Sequence, residues 1–114
     1  MQKERITEYG ENGMVHMGDE YYSVLKDALM YCKSIARDKV QGKESSFFTY
    51  YLLQSAVKDL SYCPFKEVKS YIKEKFDDKD DRNFYESCVK REKVSTIQDL
   101  VIHTIPIYMR KMVA

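Results

Sequence analysis

Residues 19–40 read DEYYSVLKDALMYCKSIARDKV, and the spacing of their apolar members decides the fold class. Tyr21, Val24, Leu25, Ala28, Cys32, Ile35 and Ala36 recur every three or four places, which gathers them on one face of a helix. Glu20, Lys26, Asp27, Lys33, Arg37 and Asp38 fall mainly on the other faces. Asp19 stands where a capping carboxylate would start the helix, and Gly42 where a glycine would end it. Basic residues in the last turn suit the negative end of the helix dipole.

The same periodicity continues downstream. Ser45 or Ser46 opens a second helix running to about Tyr62. Its first half, FFTYYLL over 47–53, is apolar or aromatic nearly all round. A helix with no clear polar face is surrounded on several sides, by its own fold or by a partner. Cys63-Pro64 stops it, and Pro64 is suited to the first position of a third helix reaching Phe76. Phe65, Val68, Ile72 and Phe76 form the apolar stripe there. The run Asp77-Asp78-Lys79-Asp80-Asp81 is a turn, with Asp80 or Asp81 capping a fourth helix to about Val94 that buries Phe84, Tyr85, Cys88 and Val89. Ser95, with Gln98 three places on, has the form of a capping box for a fifth. Residues 101–109 leave two readings open. A kinked helix fits Ile97, Leu100, Val101, Thr104, Ile105, Tyr108 and Met112. A strand fits the β-branched run before Pro106.

Before residue 19 the pattern changes. Arg5–Tyr9 and Met14–Met17 flank Gly10-Glu11-Asn12-Gly13, so residues 5–17 read as a short β-hairpin, with an irregular arm as the alternative. The expected organisation is therefore an arm or hairpin over 1–18 and a helical domain over 19–114. The fold class is mainly α, a compact bundle of four to five helices within one domain.

Composition agrees with that architecture. Four glycines and two prolines are too few for a many-stranded barrel or sandwich. Hydrophobic residues at 44% and charged ones at 32% allow collapse without disorder. Nineteen basic residues against eighteen acidic ones, a net charge of +1, remove any global argument for coating nucleic acid or an anionic membrane. The polar start, MQKERITEYGENG, lacks the apolar core of a secretory signal, and no apolar stretch is long enough to cross a bilayer. Three widely separated cysteines, Cys32, Cys63 and Cys88, each sit in or beside an apolar helical pattern, as buried free thiols do. A reducing cytoplasm is the expected setting.

Motifs for chemistry are weak. His16 and His103 are the two histidines, and neither has a nearby nucleophile in a recognisable setting. The cysteine spacing lacks the close pairs of a structural zinc site. In the acidic run 77–81, Asn83 occupies the glycine position of a calcium loop and Val89 the glutamate position. No glycine lies in a phosphate-cradling pattern. No catalytic, cofactor or metal residue is nominated, and the chain is not expected to be an enzyme. The third and fourth helices could form a helix-turn-helix pair over 64–94, with Lys66, Lys69, Lys73, Lys75, Arg82, Lys90, Arg91 and Lys93 as phosphate contacts. Glu67, Glu74, Glu86 and Glu92 dilute that field.

Aromatic content is the unusual feature. Ten tyrosines and five phenylalanines recur as the pairs Tyr21-Tyr22, Phe47-Phe48, Tyr50-Tyr51 and Phe84-Tyr85. Neighbours on a helix lie about 100° apart, so one of each pair can enter the core while the other turns to the rim. An aromatic rim suits a protein–protein surface. The expectation is a small interaction or regulatory protein that binds another protein, or a further copy of itself, with DNA association through 64–94 as the alternative. Its expected surface comprises Tyr22, Phe47, Tyr50 and Tyr51, bordered by Lys26, Lys33 and Arg37.

Overall fold

A computed structural model describes residues 18–92 and 94–113. The spine of the fold is α1 (Asp19–Val40), whose buried face is Leu25, Ala28, Leu29, Cys32, Ile35 and Ala36. Its start differs from expectation: Gly18, extended at φ −69°, precedes the helix and its carbonyl accepts from Tyr22 N–H at 2.9 Å. Asp19 makes no cap; it joins Glu20 as an acidic residue in the first turn, at the positive end of the dipole. Gly42 ends the helix as expected, at φ +73°. Gly42 N–H donates to Lys39 O at 3.1 Å and Lys43 N–H to Asp38 O at 2.8 Å, the paired bonds of a glycine-terminated helix.

Five further helical segments follow: α2 (Phe47–Leu60), α3 (Phe65–Glu74), α4 (Lys79–Glu92), α5 (Ile97–Ile102) and α6 (Thr104–Val113). Ser46 caps α2, its hydroxyl accepting from Phe48 N–H at 3.0 Å. Pro64 lies one place before α3 rather than inside it, and its carbonyl accepts from Val68 N–H at 3.2 Å. The cap of α4 is Asp78, not Asp80 or Asp81: its carboxylate accepts from Asp80 N–H at 2.7 Å and Asp81 N–H at 3.3 Å. That frees Asp81 to turn inward, where it is nearly buried between Lys111 at 2.9 Å and Arg110 at 3.3 Å. Thr96, not Ser95, caps α5 by accepting from Asp99 N–H at 3.1 Å.

The 101–109 stretch is helical, with a break at His103 instead of a strand. Pro106 has no N–H to offer the carbonyl four places back, and it is tolerated in the first turn of α6. Side chains satisfy the carbonyls around the break. Thr104 Oγ1 donates to Val101 O at 2.6 Å, and His103 Nδ1 meets Asp99 O at 2.7 Å.

All six segments feed one continuous apolar cluster, with α1 lying between α2 and α6. Tyr85 and Phe76 are its largest fully buried side chains, and the Phe76 ring also meets Tyr108 at 5.4 Å. No helix among the described residues is long and apolar enough to cross a membrane. The hairpin expected over 5–17 lies outside the described residues.

Candidate protein-docking surface

The buried stripe of α2 is Leu53, Ala56, Val57 and Leu60, so it begins only in the second turn. At about 100° per residue, Tyr51 falls almost opposite the centre of that stripe, with Phe47 and Phe48 to either side of it. The outcome is three rings turned outward: Phe47 is 87% exposed, Phe48 63% and Tyr51 61%. Phe48 and Tyr51 stack on each other at 6.5 Å. Tyr50 is more sheltered. It stands with Ile35, Leu53, Val57, Ile102 and Ile105 around an apolar hollow of about 220 Å³ bounded by α1, α2, α5 and α6.

Of these four rings, the sequence reading names Phe47, Tyr50 and Tyr51 and leaves out Phe48. The one-in, one-out rule for adjacent rings fails in the first turn of α2, because no apolar partner lies beneath that turn. The late start of the aliphatic stripe, at Leu53, is the signal that could have shown it.

Tyr22 does not join this patch. It sits near the start of α1, whereas α2 begins beside its end, and at 1.5 Å per residue Tyr22 and Val40 are about 27 Å apart. The rim expected to run from Tyr22 to Tyr51 is therefore two separate surfaces. Around Tyr22, the ring packs edge-on against Tyr71 of α3 at 4.9 Å, and Lys26 lies 5.4 Å from its centroid. Lys75 stands 4.9 Å over Tyr71. The Tyr71 hydroxyl, buried and short of a well-aligned hydrogen bond, still favours the Tyr22 phenolate and holds that phenol below its ordinary value. Lys75 and Lys26 add to the effect. Lys33 lines a hollow with Lys26, Met30 and Lys75, so it borders this patch, while Arg37 is exposed near the α2 end of α1. No known protein family, curated protein or solved structure matches the chain. The functional reading therefore rests on surface chemistry.

Other constellations are occupied structurally. Burial pushes the Cys32 thiol up to about 11, and Cys32 Sγ donates to Val101 O at 3.4 Å. Cys63 is likewise pushed up to about 11, by burial and then by Glu67. Thiols so protonated are poor nucleophiles and ligands. Among the described residues no three histidine, cysteine or acidic side chains gather where they could hold a metal. The acidic run caps α4 and anchors α6. In the 64–94 pair, Lys73 is ion-paired with Glu86, whose carboxyl its hydrogen bond and charge hold below the usual range. Lys66, Lys69, Arg82, Lys90 and Arg91 remain exposed. Yet α3 packs chiefly on α5 and α4 on α6, so the two do not form a closely packed pair of their own.

Proposed function

We propose that this chain is a non-enzymatic, cytoplasmic interaction or regulatory protein that docks another protein on the N-terminal half of α2. The observation that carries the reading is the outward turn of Phe47, Phe48 and Tyr51 side by side. Isolated exposed rings are ordinary, but a contiguous group of them is the mark of an interaction surface. Each fully exposed ring covered by a partner contributes at most roughly 1.5–3 kcal/mol, so the three together offset a substantial part of the association and ordering costs. Arg37 and the charges flanking α2 would guide encounter more than they hold the complex.

The test is a photo-crosslinking side chain placed at Tyr51, with a second at Lys90 on α4 as control. Irradiation in the native setting is expected to join the Tyr51 probe to a discrete protein band that the Lys90 probe does not give. Equal or absent labelling at the two positions would remove the proposal.

A further inference from the structure

Three lysines, Lys26, Lys33 and Lys75, line one hollow of about 290 Å³, and no carboxylate lines it with them. Lys26 and Lys33 lie seven places apart on α1, two turns along the same face. Lys75 reaches that hollow from the end of α3. Such a gathering of one sign is local, because the chain as a whole carries only +1. All three lysines are exposed, and none makes an ion pair among the described residues. Two of them lie against phenol rings instead: Lys26 is 5.4 Å from the Tyr22 centroid and Lys75 4.9 Å from that of Tyr71. Asp77, two places beyond Lys75, acts on that ammonium less than Tyr71 or Tyr22 does.

We infer that this hollow binds a small organic molecule carrying several phosphate groups, its phosphates held by Lys26, Lys33 and Lys75 and its carbon part by Leu29, Met30 and Tyr108. Like charges brought together repel, so three ammoniums without a carboxylate gain most from a ligand that brings several negative charges at once. A lone carboxylate would offset one of the three, and its planar fork suits arginine, which this lining lacks. A lysine ammonium is a compact point charge that accepts a phosphate oxygen from many directions.

The rest of the lining accounts for the organic part. Leu29 is buried and Tyr108 half-buried, and with Met30 they give an apolar wall that bare phosphate would leave wet. Burial pushes the Tyr108 phenol up to about 12, so it brings no negative charge to compete with the ligand. The volume lies at the lower end of the range of about 300–1,000 Å³ that small-molecule sites occupy, which fits a compact ligand. This site shares no residue with the exposed rings of α2, so it stands or falls separately from the docking proposal.

Titration calorimetry of the purified full chain with adenosine triphosphate, without divalent cations, tests this, with adenosine as the arm that lacks phosphates. The triphosphate should bind saturably at one site, more weakly as salt is added, and adenosine should not bind at the same concentrations. Lys26→Gln, Lys33→Gln and Lys75→Gln should each weaken binding about tenfold, the loss of one charge-assisted hydrogen bond. Lys66→Gln and Lys90→Gln remove the same charge from exposed lysines outside the hollow and should change it by no more than about twofold. The absence of saturable triphosphate binding overturns the inference, as does adenosine binding of equal strength. Equal losses at Lys66 and Lys90 would show general charge attraction in place of a site, and overturn it too.

Discussion

Cys32 shows how a residue-level property follows from position in the fold. Its thiol is fully buried and donates to the Val101 carbonyl, so the low-dielectric surroundings favour the neutral form. The rise from 9.0 to about 11 cuts the thiolate fraction about a hundredfold at mildly alkaline pH. Iodoacetamide at pH 8 should accordingly label Cys32 on the order of a hundred times more slowly in the folded chain than in urea, as read by peptide mass spectrometry. Comparable rates in the two states would show that the thiol is open to solvent. The linkage sign follows from the same shift. The fold holds the neutral thiol, so this stabilisation is complete below pH 9.0 and is lost as pH rises towards about 11. Cys63 titrates over the same window and acts in the same direction. Buried thiols were legible in the sequence because each cysteine lies in or beside an apolar helical pattern. It could not foretell inward-turned Asp81, since the Lys111 and Arg110 that neutralise it come from a distant helix.

The elements were legible in the sequence wherever apolar spacing was regular, and their ends less so. The extent of α1 and its glycine stop followed from 19–42 alone. The caps of α4 and α5 shifted by one to three places, because neighbouring Ser, Thr and Asp residues are chemically equivalent candidates and only backbone geometry selects among them; α1 instead starts after Gly18 with no side-chain cap. Thr96 beside Ser95 is the sharpest case: the chosen hydroxyl is the one within reach of Asp99 N–H. Thr96→Ala should cost about 1 kcal/mol in a urea melt while Ser95→Ala changes stability by no more than a few tenths. A reversed order would restore Ser95 as the cap. The choice between strand and kinked helix at 101–109 rested on Pro106, whose helical cost disappears when the chain breaks just before it, at His103.

For the molecule as a whole, fifteen aromatic residues raise the expectation of more rings than a small helical core needs, without saying where any surplus lies. Periodicity places a ring on a face; it does not reveal how far along a helix its neighbour extends. Hence the expected surface groups Tyr22 with α2 and omits Phe48. The structure exposes Tyr22 on α1 and Tyr62 beyond the far end of α2, and separately turns Phe47, Phe48 and Tyr51 outward at the start of α2. If those rings serve a partner and not the chain's own core, removing them leaves the folded monomer intact. The measurement that decides this is the unfolding free energy of a Phe47→Ser, Tyr51→Ser double variant, at a concentration low enough that association adds nothing. We predict a value within about 0.5 kcal/mol of the unchanged chain, as for other exposed positions. A loss of about 2 kcal/mol or more, the cost of emptying packed space, would place both rings in the core and contradict the account.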